Sequence, residues 1–310
     1  MRKVIGMGET VLDIVFRGFQ PQAAVPGGST FNSMVSLGRC GVPSLFLSEL
    51  GDDEVGRLVR SFMAENGICP DYVRELPMKT PISMAFLDEN NDAHYTFYRD
   101  PVVERPDAGF PPVEKDDIVL FGSFYALNPA ARHHVKPFLD YARSAGAILY
   151  YDVNFRPAHA KDLGAVGPSV EENLSLAHIV RGSEEDFKTL YGLGDPDEVY
   201  EREILPRNGH FIYTKASEPL TVRDIPSFRK EYKVTPVPVV STIGAGDNFN
   251  AGFVFGLLRH GVTLEDLSAG LPEERWDGLV ACAQSFSANC CGSMFNYVTE
   301  DFAKALTSRG

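Results

Sequence analysis

Ser241-Thr242-Ile243-Gly244-Ala245-Gly246-Asp247 is the stretch on which the reading turns. It leads into Ala245 to His260, where Phe249, Phe253, Leu257 and Leu258 recur at helical spacing. A helix start carries unpaired N–H groups and the positive end of the helix dipole. Gly244 and Gly246 have no Cβ to hold a ligand away. Together these features suit an anion such as phosphate. Asp247, next in line, is placed to take a proton from a hydroxyl that attacks phosphorus. The letters Gly-Ala-Gly-Asp also describe an ordinary strand-to-helix turn with a capping acid, so the choice depends on the rest of the chain.

Working outward, short apolar runs alternate with helical patterns. Strands are expected at Val4 to Met7, Val11 to Phe16, Ser44 to Leu50, Asp117 to Phe121, Ile148 to Val153, Ile179-Val180 and Phe211 to Thr214, with paired strands from Leu220 to Val237. Helices are expected at Thr30 to Arg39, after a cap at Asp52 or Asp53, at Pro129 to Ala145, Ser169 to Ala177, Ser183 to Tyr191 and Ala245 to His260, and twice more near Glu274–Asn289 and Thr299–Thr307. The Pro-, Ala- and Gly-rich segment ending at Pro26-Gly27-Gly28 reads as a loop. Between Thr80 and Tyr98 a two-residue period, broken by Glu89-Asn90-Asn91-Asp92, reads as a hairpin. The pattern predicts an α/β fold, a mostly parallel sheet flanked by helices, with the hairpin as a small β-sheet lid.

Composition narrows the class. The chain has 310 residues, with 29 Lys and Arg against 42 Asp and Glu, a net charge of −13. Such an acidic chain repels phosphate backbones, so nucleic acid is a poor partner. Five cysteines in irregular spacing argue against a disulfide framework and against a zinc site. Cys290-Cys291 reads as two thiols on a packed helix. No apolar run reaches the length of a membrane span, no signal peptide is evident, and the cytoplasm is the expected compartment.

Three segments taken together resemble the ribokinase-like (PfkB) carbohydrate kinases. Residues 241–247 are similar to the family's Asp-Thr-x-Gly-Ala-Gly-Asp except at the first position. Gly27-Gly28-Ser29-Thr30-Phe31-Asn32, Gly41 and Gly51-Asp52-Asp53-Glu54-Val55-Gly56 resemble its N-terminal signature, and Asp152-Val153-Asn154-Phe155-Arg156-Pro157 its Asp-x-Asn-x-Arg segment. The matches keep the family's order across nearly the whole chain. The resemblance implies one ribokinase-like domain with a lid from about 14–26 and 80–100, ATP and Mg²⁺ as cofactors, and phosphorylation of a sugar hydroxyl. The fructokinase and 2-keto-3-deoxygluconate kinase branches look nearest, with fructose favoured. A non-catalytic sugar- or nucleotide-binding protein is the alternative from another class.

The same resemblance assigns roles. Asp247 is the implied base, and the N–H groups of Gly244, Ala245 and Gly246 the anion hole. Asp13, Gly28, Asn32, Tyr98, Arg99 and Arg156 are implied on the sugar side. A carboxylate inside Val11-Leu12-Asp13-Ile14-Val15 is costly without partners, which independently marks Asp13. Arg156 either binds substrate or pins its loop to Asp152. Ser183, Thr214, Lys215 and Asn289 are implied near ATP, and Asp186 near Mg²⁺ through water. Ala216 stands where the family has glycine. Ser241 stands where it commonly has an acid tied to a monovalent cation, which implies weak or absent potassium activation. Asp100-Pro101-Val102-Val103-Glu104 replaces the usual small-residue run after the lid arginine. The lids are expected to pair two copies of the chain.

Overall fold

Val4 and Ile5 are neighbours in the first strand, and their side chains leave it in opposite directions. That alternation seeds two hydrophobic cores, one on each face of a buried sheet. The structure is a computed structural model that describes residues 2–87, 93–100, 109–225 and 227–308. Its strands are β1 (Val4–Met7), β2 (Val11–Arg17), β3 (Gln20–Gly27), β4 (Ser44–Gly51), β5 (Ile68–Cys69), β6 (Val73–Leu76), β7 (Ile82–Leu87), β8 (Ala93–Tyr98), β9 (Ile118–Gly122), β10 (Ile148–Asp152), β11 (Ile179–Ser183), β12 (His210–Thr214), β13 (Leu220–Asp224) and β14 (Phe228–Tyr232). The helices are α1 (Ser29–Arg39), α2 (Glu54–Glu65), α3 (Pro129–Ser144), α4 (Leu163–Leu176), α5 (Glu184–Tyr191), α6 (Pro196–Val199), α7 (Ala245–Arg259), α8 (Leu264–Ala269), α9 (Glu273–Cys291) and α10 (Glu300–Thr307).

The larger sheet runs β14-β13-β12-β11-β10-β9-β1-β4-β5, with β6 beside β4. It is parallel from β12 to β5 and antiparallel at β13 and β14. Val4, Leu120, Tyr150, Ile179 and Ile212 face a layer that includes α1, α7 and α9. Ile5, Val119, Leu149, Val180 and Phe211 face a layer that includes α3 to α6. Burial on both faces is why these strands are runs of apolar residues without polar alternation. A separate sheet runs β3-β2-β7-β8, with β2 and β7 parallel and the other pairs antiparallel. Among the described residues no helix is long and apolar enough to cross a membrane.

Several sequence expectations change. The segment before Gly28 is strand β3, not loop; its Pro21 and Pro26 are tolerated because β3 is an edge strand. Helix α4 begins at Leu163, ahead of Pro168, because Val166 and Val170 bury against the sheet layer. The paired strands after Leu220 stop at Tyr232, short of Pro236 and Pro238. Three helices rather than two follow α7, the extra one being α8. Residues 89–92, read as a turn, and 101–104 lie outside the described residues.

Of the two candidate caps, Asp53 is the one used. Its Oδ1 accepts from Gly56 N at 2.8 Å and from Thr80 Oγ1 at 2.8 Å, and its Oδ2 accepts from Thr80 N at 2.9 Å. One carboxylate thus starts α2 and fixes the entry to β7. Asp53→Ala is expected to cost about 2 kcal/mol in urea denaturation, the sum of a lost cap and a buried donor left unpaired. An unchanged midpoint would contradict the double role.

Candidate active site

Parallel strands bring their carboxyl ends to one edge of a sheet, and ligands gather there. Asp152 ends β10, Ser183 ends β11 and Thr214 ends β12; Asp152 lies in register with Arg181, and Ser183 with Thr214. Helix α7 starts against the same edge. Gly244 turns the chain into it with φ 78°, and a Cβ there would stand 2.7 Å from the Asn296 carbonyl. Only glycine meets both conditions. Ala245 N–H already donates to Thr242 O at 3.2 Å. The next N–H groups, of Gly246 and Asp247, belong to the first turn and have no carbonyl within the helix to bind.

Asp247 is gripped from α1. Ser29 Oγ donates to Oδ1 at 2.9 Å, Asn32 Nδ2 donates to Oδ2 at 2.8 Å, and Ser33 Oγ donates to the Asp247 carbonyl at 2.7 Å. Burial pushes the Asp247 carboxyl up to about 6; the Asn32 donor draws it back, the Asp152 charge adds to the rise, and Ser29 and the Arg156 guanidinium oppose it. Asp13, 8% exposed, comes in from β2, and Asn296 Nδ2 donates to its Oδ2 at 3.3 Å. Burial pushes Asp13 to about 6 as well. The Ser83 hydroxyl, its register partner on β7, draws it partly back without a hydrogen bond of ordinary geometry, and the Asp247 charge adds to the rise. Two carboxyls whose pKa values burial raises to about 6 can exchange a proton with a bound hydroxyl. Asn32 Oδ1 is buried and has no partner among the described residues, which leaves an acceptor beside them.

Beneath the turn at Gly244 lies a buried ion pair. Arg181 Nη1 donates to Asp152 Oδ1 at 2.9 Å, and Nη2 donates to Thr214 Oγ1 at 2.8 Å. Asn250 Nδ2 donates to Asp152 Oδ2 at 2.8 Å. Burial opposes the Arg181 charge, but Asp152 and Asp186 hold its pKa above the usual arginine range. A Cβ on Gly246 would lie 3.1 Å from Arg181 Nη2, so the guanidinium packs directly behind the helix start. The guanidinium edge, its charge countered by Asp152, is the nearest side-chain group to the helix start there.

The other expected site residues are placed as follows. Gly28 has φ 132°, and a Cβ there would meet the Glu9 carbonyl at 2.2 Å. Arg99 Nη1 pairs with Glu9 Oε1 at 2.8 Å and stacks on Phe97. Tyr98 ends β8 and is exposed. Arg156 does not pin its loop to Asp152, whose oxygens are taken by Arg181 and Asn250; it faces Glu185 at 3.5 Å. Ser183 and Asp186 form a capping box: Asp186 Oδ2 accepts from Ser183 N at 2.6 Å and from Oγ at 2.8 Å. Lys215 pairs with Glu184 at 3.4 Å. Asn289 Oδ1 accepts from Thr299 N at 2.8 Å. Ser241 Oγ accepts from Ile243 N at 3.2 Å. Cys290 is a buried free thiol and Cys291 a half-buried one. Among the described residues no three His, Cys, Asp or Glu side chains converge to hold a metal ion.

A pfkB family carbohydrate kinase model matches residues 20–270. The chain belongs to the pfkB family of carbohydrate kinases. This kinase is 27% identical to a fructokinase of Rhizobium leguminosarum bv. trifolii over 286 residues, covering 87% of this chain and 84% of the relative. The fructokinase of Vibrio cholerae O395, solved with fructose, ADP and calcium, superposes with a TM-score of 0.83 at 20% identity, covering 99% of both chains. The aminoimidazole riboside kinase of Salmonella enterica, solved with its riboside and an ATP analogue, gives 0.83 at 21% identity, again covering 99% of both.

Sequence reasoning about this kinase missed Ser29, Ser33, Arg181, Asn250 and Asn296. A signal existed for Arg181: an arginine inside Ile179-Val180-Arg181-Gly182 needs a buried partner. Ala216, noted as a departure from glycine, has φ 42°, the left-handed region that glycine occupies without strain.

The raised Asp247 pKa has a stability consequence. Its folded value, about 6, exceeds the usual 3.8, so the folded state binds the proton more tightly and stability falls as pH rises between the two. Asp247→Asn removes that deficit. The amide also turns one acceptor into a donor facing Ser29 or Asn32, so the readout is the pH dependence: between pH 4 and pH 8 the thermal midpoint of Asp247→Asn is expected to fall less than that of wild type. Parallel pH dependence in the two proteins would contradict the raised Asp247 pKa.

Proposed function

We propose that this kinase transfers the terminal phosphoryl group of ATP to a hydroxyl of fructose. The observation that carries the reading is Asp247, held by Ser29 and Asn32 at a helix start with free N–H groups. The sugar oxygen attacks the terminal phosphorus, its proton passes to Asp247, and the bond to the ADP oxygen breaks. Phosphoryl transfer depends mainly on position and charge. The turn Gly244-Ala245-Gly246, through the N–H groups left free there, holds the phosphoryl oxygens, with the Arg181 charge behind. Asp13 and Asn32 Oδ1 accept from sugar hydroxyls, Gly28 lets the ring approach, and the small sheet forms a lid over it, with Phe97 rather than Tyr98 in register on the Asp13 face.

Fructose is favoured over 2-keto-3-deoxygluconate by charge. Arg99 and Arg156, the cations suited to a substrate carboxylate, already face Glu9 and Glu185. The fructokinase relative at 27% identity points the same way. Ser183, Thr214 and Lys215 border the nucleotide phosphates, and Asn289 lies on its base side. Asp186 fits only a contact with magnesium through water, because Oδ2 is taken by Ser183 and the side chain is 2% exposed. When bound with ATP, magnesium neutralises phosphate charge. Exposed Phe86 on β7, with Phe19 in the turn between β2 and β3, favours pairing of two lids in a homodimer, with light scattering as the check.

With MgATP, ADP release is expected with fructose and not with 2-keto-3-deoxygluconate; the opposite result would reverse the assignment. Asp247→Asn should lower kcat by about 10³-fold while leaving fructose affinity intact in calorimetry. A rate near wild type would exclude Asp247 as the base. Because Ser241 carries no charge, rates in K⁺ and Na⁺ at equal ionic strength should agree within error, and strong potassium dependence would contradict this.

A further inference from the structure

The segment after α9 touches both halves of the site. Asn296, 6% exposed, donates through Nδ2 to Asp13 Oδ2 at 3.3 Å. Its carbonyl accepts from Asn248 Nδ2 at 2.8 Å, and its backbone is what a Cβ on Gly244 would strike. One residue therefore meets the sugar-side carboxylate with its side chain and the anion turn with its main chain. The neighbouring residues give it a firm base. Tyr297 Oη donates to the Pro26 carbonyl on β3 at 3.4 Å. Val298 N donates to Ser36 Oγ at 3.1 Å, Ser36 Oγ donates to Asn248 Oδ1 at 2.5 Å, and Arg39 Nη1 donates to Val298 O at 2.7 Å.

We propose that Asn296 is a positioning residue that ties Asp13 to the turn at Gly244, so that the sugar and the nucleotide bind interdependently. The small sheet carries Asp13 and the start of α7 carries the turn at Gly244, so the placement of one relative to the other is set where they are bonded together. A sugar that engages Asp13 loads the Asn296 amide, and the amide's own backbone abuts Gly244. The orientation of Asn296 is fixed by Asn248 and cannot relax independently, because Asn248 Nδ2 also donates to the Gly244 carbonyl at 2.8 Å. Coupling of this kind is reciprocal: each ligand tightens the other by the same factor.

This inference rests on the sugar-kinase reading of the site, and the experiment separates the two. The affinity of a non-hydrolysable ATP analogue is measured by calorimetry with and without saturating fructose, in wild type, Asn296→Ala and Asn296→Ser. Wild type is expected to bind the analogue about fivefold or more tightly when fructose is present. Both variants should bind the analogue alone as wild type does and lose the enhancement, with KM for both substrates raised more than kcat is lowered. The serine variant keeps a small polar side chain in case alanine impairs folding, and thermal melts identify either failure. Enhancement retained in a folded variant overturns the role of Asn296 alone, as does its absence in wild type that binds both ligands. Failure of wild type to bind fructose at all overturns the site reading and this inference together.

Discussion

Three side chains from the first turns of α1 grip a single residue of α7. Ser29 and Asn32 take the two carboxylate oxygens of Asp247, and Ser33 takes its carbonyl. One turn further along, Ser36 repeats the contact on Asn248. Helix α1 is buried from Thr30 to Gly38, so Asn32, Ser33 and Ser36 have little water to fall back on, while Ser29 and Asp247 are half-buried. A hydrogen bond between two buried groups adds only about 1 kcal/mol, but breaking one leaves a donor stranded at about 1–3 kcal/mol. The asymmetry makes the contact specific: α1 and α7 fit in one register, and that register orients Asp247.

A second constraint lies under the first. Arg181 and Asp152 are both nearly enclosed, and Asn250 and Tyr150 complete the network, Tyr150 Oη donating to Asn250 Oδ1 at 3.0 Å. Buried ion pairs contribute little net stability, because desolvation consumes most of the attraction. Their consequence here is geometric and electrostatic. The pair links β10, β11 and α7, and it leaves a cation behind Gly246 where the backbone comes closest.

The parts of this arrangement visible in the sequence are the local ones. Apolar runs buried on two faces mark the parallel strands, and Gly244, Gly246 and Asp247 mark the turn into α7 because the features that define it lie within a few residues. Asn296 and Ser29 are invisible for the opposite reason. Each is an ordinary polar residue until folding brings it to Asp13 or Asp247, 283 and 218 residues away along the chain. Proline misled in both directions: Pro21 and Pro26 sit in a strand because it is an edge, and Pro168 sits in a helix because Val166 and Val170 have a surface to cover. Asp186 and Ser183 read equally as ligands or as a cap, and the geometry is that of a cap. Ala216 was noticeable as a missing glycine, but the reason, a positive φ, lies in the backbone.

The clasp between α1 and α7 also sets a timetable. Asn32 meets Asp247 across 215 residues of sequence, and Tyr297 closes over Pro26 across 271. On a ribosome, α1 emerges early, with Phe31, Met34 and Val35 ready for a core whose other wall is not yet made. At about 5–20 residues per second that helix waits tens of seconds for its partner. The nascent chain thus carries a sticky, unfinished face for most of its synthesis, and the grip on Asp247 is among the last parts of the molecule to form.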